Sequence, residues 1–286
     1  MRVMGTRKKK DTVASSDADT VAEVADDTPE LAPVTLSESR GVRYLHLGSP
    51  WVQGALRMSK PDVLELEYVQ RMMAWMLWRE PDEVTRGHAV QLGLGAAALT
   101  RFCHDVLRMR CTAVELNPSV IDACRLWFHL PPDGRRLRVL NEDAAHYVAD
   151  PGHAGTADVL CVDLYDHEAA APVLDDEAFY RACHHLLAPQ GVMSVNLFGR
   201  NAGFAVSAAR IQAAFGVGRV AMLKPTREGN TIVLACKGLD LPEPDELARR
   251  ATALQTRFAR ADLPARRWLA LLQPLPATED SPDPHA

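Results

Sequence analysis

The stretch Gln91-Leu92-Gly93-Leu94-Gly95-Ala96-Ala97-Ala98-Leu99 decides how the rest of the chain is read. An apolar run, 88–93, leads into it, and a helix-forming run leads out. Two glycines at such a turn let the backbone come close to a ligand. The N-terminus of the helix then faces that ligand with its free N–H groups. Glycine also serves tight turns for steric reasons alone, so the surrounding segments must say what this turn is for.

Further apolar runs follow at 111–115, 137–141, 158–163 and 191–197, with helical segments at 96–107, 118–129, 143–149 and 176–187 between them. This alternation predicts an α/β fold around a doubly wound, mostly parallel sheet. A helix over 202–215 leads into strands at 218–224 and 230–236, which brings the sheet to seven strands. The turn Arg227-Glu228-Gly229-Asn230 predicts that the last two pair antiparallel. Residues 243–272 read as one or two surface helices with Leu254, Phe258, Trp268 and Leu271 facing in.

Upstream of the turn, Arg43–Leu47 and Trp51–Met58 are strand-like runs joined by Gly48-Ser49-Pro50, a hairpin signal. Val63–Trp78 carries Leu64, Tyr68, Met72, Trp75 and Met76 at helical spacing and stops before Pro81. That Met and Trp stripe reads as core. Residues 1–38 are polar and run from basic to acidic, the composition of a disordered tail. The predicted organisation is a tail over 1–38, a β-hairpin plus helix over 39–84, a Rossmann-like nucleoside-binding domain over 85–240, and C-terminal helices with a tail over 241–286.

Composition narrows the function classes. The 286 residues hold 32 Lys and Arg against 37 Asp and Glu, a net charge of −5. That balance argues against a nucleic-acid binder working by bulk charge. No run approaches the ~20 apolar residues of a membrane span. The six cysteines (103, 111, 124, 161, 183 and 236) are scattered without a C-x-x-C pair. They read as reduced, buried thiols of a cytoplasmic protein rather than a disulfide or zinc framework. The basic start lacks the apolar region of a secretory signal, and no histidine spacing suits a metal, so none is expected.

The chemistry sits at the strand ends. The second strand ends in Val114-Glu115-Leu116-Asn117-Pro118, twenty residues beyond Gly95. Glu115 can accept both ribose hydroxyls of an adenosine, because a carboxylate offers two acceptor oxygens. Asn117 followed by Pro118 is also a helix-cap pattern, and both roles can coexist. The third strand ends in Asn141-Glu142-Asp143-Ala144, where an acid could accept from an adenine amino group or could simply cap a helix. The fourth ends in Asp163 and continues Leu164-Tyr165-Asp166-His167. Ligands in open α/β sheets bind beyond these strand ends. Gly93-x-Gly95-x-x-Ala98 also satisfies the dinucleotide fingerprint, which keeps NAD open. A dinucleotide enzyme does not need the later acids. Their order resembles the class I S-adenosylmethionine-dependent methyltransferase fold, whose seventh strand is antiparallel.

From about Tyr44 to Cys236 the chain resembles the spermidine synthase (polyamine aminopropyltransferase) family. Leu45–Gln53 is similar to its small β-domain, which carries a glutamine near the nucleoside, here Gln53. Glu65, Glu67 and Tyr68 match its acidic stretch and tyrosine. Val114–Ile121 is similar to its ribose-binding strand, Glu142-Asp143-Ala144 to its adenine-binding turn, and Asp158–Asp166 to its catalytic loop. Asp176–Cys183 and Leu187–Gly191 are close to the helix and strand that follow. The resemblance implies transfer of an aminopropyl group from decarboxylated S-adenosylmethionine to a polyamine such as putrescine. It implies Asp163 and Asp166 as catalytic residues, and Tyr68 and Tyr165 as contacts to a small-molecule amine. Gln53, Gly93, Gly95, Glu115, Asn117, Asp143 and Ala144 would hold the nucleoside. At least two carboxylates besides Asp163 should line the amine end.

Four places depart from the family pattern. Ala96 replaces an aspartate of the glycine loop, Val69-Gln70 replaces His-Glu after the tyrosine, Leu164-Tyr165 replaces two small residues of the catalytic loop, and His167 replaces the proline after the second aspartate. Two other readings therefore stand beside the first: an S-adenosylmethionine-dependent methyltransferase and a non-catalytic nucleoside-binding protein. The hairpin edge could pair across a homodimer.

Overall fold

The computed structural model describes residues 31–165, 174–198 and 202–275. Asp166 and His167 lie outside the described residues. Strand structure reaches into the segment predicted as tail, with β1 at Val34–Ser39, followed by β2 at Val42–Leu47 and β3 at Val52–Arg57. The three form an antiparallel sheet in that order. Arg40 and Gly41 both have positive φ, the backbone of a two-residue hairpin turn matched to strand twist. β1 is almost wholly exposed, so the ladder to β2 rather than burial forms it. A polar segment of this kind gives no apolar signal in the sequence.

The predicted helix over 63–78 is shorter and changes type. Helix α1 spans Glu67–Met72 and tightens into a 3₁₀ helix over Met73–Trp78, every residue of which is buried. The Met and Trp stripe is core, as its spacing predicts.

The second sheet carries the site. Its strands are β4 (His88–Leu92), β5 (Arg110–Glu115), β6 (Leu137–Asn141), β7 (Ala157–Val162), β8 (Leu187–Phe198), β9 (Val220–Leu223), β10 (Asn230–Cys236) and β11 (Leu272–Pro274). The order is β11-β9-β10-β8-β7-β4-β5-β6, eight strands rather than the predicted seven. The eighth, β11, pairs antiparallel with β9. Three residues are too few to show a period. β4 to β8 run parallel, and β10 is antiparallel to both β8 and β9.

Helices lie between the strands: α2 (Ala98–Arg101, continued by a wider π-type turn to Val106), α3 (Pro118–Trp127), α4 (Ala144–Ala149), α5 (Glu177–Leu186) and α6 (Ala202–Phe215). The C-terminal α7 (Pro244–Arg257) and α8 (Ala265–Leu271) pack on each other and on the 3₁₀ segment. Trp75 and Trp268 belong to the larger of two core clusters; Leu92, Leu160 and Val195 belong to the other. The strand interiors are mostly apolar, with a few buried polar residues such as Gln91, Thr112, Ser194 and Asn196, and the acids stand at the strand ends. All six cysteines are free and buried.

Candidate active site

Strands β4, β5, β6 and β7 end along one edge of the large sheet, and the small sheet closes over that edge. Between them lies a cleft of about 880 Å³. Gln53, Tyr68, Gly93, Gly95, Glu115, Asp143, Ala144, Asp163 and Tyr165 all line it. These came from six separate places in the sequence.

The glycine turn is tight for a steric reason. Gly93 has φ +82°, and a Cβ there would stand 2.2 Å from the Asp163 carbonyl oxygen. Gly95 has φ +50°, and its Cβ would come within 2.9 Å of the Gln53 carbonyl oxygen. The turn is thus pressed between β7 on one side and β3 on the other. Ala96 is buried beneath Gly54, whose own Cβ would lie 2.5 Å from that of Ala96. This position faces the packed small sheet and is absent from the cleft lining.

Glu115 sits at the end of β5 with its carboxylate fixed at both oxygens. One accepts from the Leu94 N–H at 2.8 Å and the other from the Asn117 N–H at 2.9 Å. Burial pushes its pKa up, and these backbone N–H groups pull it back. Each oxygen keeps a free lone pair, so the carboxylate can still accept two hydroxyls. Asp143 caps α4 through the Ala145 N–H at 2.6 Å and lines the cleft as well. The two readings of that acid are compatible. Asn117 behaves differently: its side chain caps α3 through Ser119, donates to the Ala32 carbonyl, and does not line the cleft.

Asp163 follows β7. Its Oδ1 accepts from the Asn196 amide at 2.9 Å, and the Tyr68 hydroxyl also bonds to its carboxylate. Burial raises the Asp163 pKa, and these two bonds oppose the rise. Tyr68 is itself pushed well above its ordinary value, first by burial and then by the Asp163 charge. It is therefore a neutral donor. Tyr165 donates to the Asn196 carbonyl oxygen at 2.8 Å. A Tyr165–Asn196–Asp163–Tyr68 network thus spans the floor of the cleft.

On this side Glu65, Glu67 and Glu228 also line the cleft. The first two are engaged by cations. Arg57 donates to both oxygens of Glu65, at 2.8 and 2.6 Å. Arg71 and Arg267 each reach Glu67 at 2.7 Å. The sequence reading missed Asn196, the arginine partners and Glu228. Asn196 carried a signal, a lone amide in an apolar strand that must find a partner. Of the arginines only Arg71 carried one, its i,i+4 spacing from Glu67. Among the described residues no cluster of His, Cys, Asp or Glu could hold a metal.

A Gly-rich turn with acids at the ends of the next three strands, on a sheet with an antiparallel penultimate pair, defines a nucleoside-binding transferase on the methyltransferase fold. Residues 95–197 match the spermine/spermidine synthase domain. The chain is 32% identical over 227 residues to the polyamine aminopropyltransferase of Chromobacterium violaceum, covering 79% of this chain and 84% of that one. It belongs to the spermine/spermidine synthase family, a family of transferases. Among solved structures, a probable spermidine synthase from Corynebacterium glutamicum matches with TM-score 0.66 at 19% identity, over 89% of this chain and 97% of that one. Human methyltransferase-like protein 13, solved with SAH, matches with TM-score 0.59 at 24% identity, over 75% and 97%. These two likenesses concern the fold.

Proposed function

We propose that the protein moves an aminopropyl group from decarboxylated S-adenosylmethionine to a small amine. The observation that carries this reading is the Asp163 carboxylate, held by Tyr68 and Asn196 inside the same cleft as Glu115. A carboxylate there has no structural task such as capping. It is the group an incoming ammonium needs, because an ammonium is no nucleophile until it gives up a proton.

In this reading Glu115 accepts the ribose hydroxyls, Asp143 accepts the adenine amino group, and Gln53, Gly93, Gly95 and Ala144 supply close backbone and side-chain walls. Asp163 orients the acceptor and takes one proton from its nitrogen. The freed lone pair attacks the carbon next to the sulfonium, the new C–N bond forms as the C–S bond breaks, and methylthioadenosine leaves with the electron pair. Much of the rate comes from alignment of nitrogen, carbon and sulfur. Tyr68 and Tyr165 contact the amine, and Asp166 would assist from the catalytic loop. The scattered reduced cysteines fit a cytoplasmic enzyme.

The test incubates purified protein with putrescine and either the decarboxylated or the intact donor, and identifies the nucleoside product. Methylthioadenosine from the decarboxylated donor is expected. Its absence with every diamine tried would overturn the reading, and S-adenosylhomocysteine from the intact donor would make the protein a methyltransferase.

A further inference from the structure

Trp51 and Leu116 are the most exposed of the large apolar residues that line the cleft, at 59% and 50%. A single tryptophan on an open surface needs no explanation, but one uncovered at the rim of a cleft does. Its backbone is not loose. His46 Nδ1 lies 3.2 Å from the Pro50 carbonyl oxygen and 3.1 Å from that of Trp51, and His46 Nε2 lies 2.8 Å from Ser37 Oγ. Both partners of Nδ1 are acceptors, so Nδ1 carries a proton and donates to them. The turn between β2 and β3 is thus clamped by its own sheet, while the indole is left uncovered.

Contacts around the turn tie Trp51 to the β5 side of the cleft. Along β3, Gly54 sits against Ala96 and the Gln53 carbonyl sits against Gly95, so the strand crosses the glycine turn. Gly93, at the other end of that turn, is the glycine that packs on Asp163. Beyond Gln53 the β2–β3 turn meets Ala32 and Pro33. The Gly48 N–H donates to the Pro33 carbonyl at 2.9 Å, and the Ala32 carbonyl accepts from the Asn117 side chain at 2.9 Å. Asn117 stands two residues after Glu115. Trp51 is therefore bound to the end of β5, where Glu115 and Leu116 line the cleft, across the glycine turn from Asp163. A flat heteroaromatic ring lodged there would cover the apolar surfaces of both Trp51 and Leu116. An indole gives such a ring a large face and has only two side-chain torsions to fix.

We infer that Trp51 stacks on the purine of the bound nucleoside and supplies much of its affinity. The inference rests on the reading of Glu115 and Asp143 as nucleoside ligands, and it adds a contact of another kind. Those two acids accept hydrogen bonds from the hydroxyls and from the edge of the base, whereas Trp51 covers its face. Because His46 and Pro33 already hold the turn, little ordering opposes the stack.

The test needs no turnover. Methylthioadenosine is titrated into wild type, W51A and W51F, and binding is followed by calorimetry and by indole fluorescence. The other tryptophans report from elsewhere: Trp75, Trp78 and Trp268 are buried in the core, and Trp127 lies on α3 under the Arg43 guanidinium, outside the cleft lining. Wild-type fluorescence should be quenched as the nucleoside binds. W51A should bind roughly tenfold or more weakly, the scale of one base–aromatic stack. W51F should keep most of the affinity, because a phenyl ring also stacks, and should lose the quench. Damaged packing alone would not separate affinity from quench in this way. Equal affinity in W51A and wild type, or a quench that persists in W51F, would overturn the assignment. Failure of wild type to bind methylthioadenosine would overturn the nucleoside reading and this inference with it. Quenched binding without methylthioadenosine release in the transfer assay would refute the activity while leaving Trp51 in its role.

Discussion

The side-chain amide nitrogen of Asn196 lies 2.9 Å from Oδ1 of Asp163. The opposite amide orientation would set an oxygen against a carboxylate, so charge fixes which end of the amide points at Asp163. The amide oxygen of Asn196 is then left buried without a protein partner. Such an acceptor costs on the order of 1–3 kcal/mol. A donor reaching it from an acceptor amine would recover that cost, which makes the residue suited to holding substrate as well as carboxylate.

Loss of either bond to Asp163 should move the pH profile in one direction. Burial raises the Asp163 pKa, and the bonds from Asn196 and Tyr68 lower it. Asn196→Ala or Tyr68→Phe removes a stabiliser of the charged form, so the pKa rises further. The acid limb of kcat/KM should shift to higher pH by about one unit, the size of a hydrogen bond to a charged group. Rates measured from pH 5 to 9 check this, and a limb that stays in place in both variants would remove Asp163 as the titrating base.

Asp163→Asn keeps the shape and one acceptor but removes the base. Transfer should fall at least ~100-fold, the usual contribution of a positioned general base. Methylthioadenosine affinity should change little, because the proposed function gives that end to Glu115 and Asp143. Initial rates and calorimetric titration of the same preparation separate the two. A variant with full activity would mean that the proton leaves by another route.

Legibility in the sequence followed how local each feature is. The acids at 115, 143 and 163 were readable because each ends an apolar strand, and strand ends in such a sheet share one edge. The antiparallel β9–β10 pair was readable from its turn. β1 and β11 were not, since both exist through pairing with a neighbour and have little pattern of their own. Asn117 was readable as two things, and only the structure separates its cap from the cleft. The neutralisation of Glu67 was readable only in part: Arg71 stands four residues on in the same helix, but Arg267 comes from a helix 200 residues away. The acidic stretch that looks like an amine site in sequence is half cancelled by charges that only the fold brings in.

Glu115→Gln tests the nucleoside end. Both carboxylate oxygens accept backbone N–H groups, so a glutamine must turn an NH₂ toward one of them. Methylthioadenosine should bind roughly tenfold weaker or worse. Wild-type binding should also weaken as pH falls through the burial-raised pKa of Glu115, because the protonated acid loses an acceptor. That dependence should flatten in the variant. A titration series over pH checks both, and equal affinities at neutral pH would take Glu115 out of the ribose role.

Gly93→Ala tests whether the turn is steric. The new Cβ would meet the Asp163 carbonyl oxygen at 2.2 Å, and φ +82° disfavours any side chain. Neither the glycine turn nor the end of β7 can yield without moving Asp163. The variant should lose about 2–4 kcal/mol of stability and most of its transfer rate. Gly134 is the control, with nothing within 4 Å of its added Cβ. Gly134→Ala should be neutral or slightly stabilising, because it narrows the unfolded ensemble without a clash. Urea unfolding of the three proteins decides the matter. If the two alanine variants had equal midpoints, the contact between the glycine turn and Asp163 would not be what requires glycine at position 93.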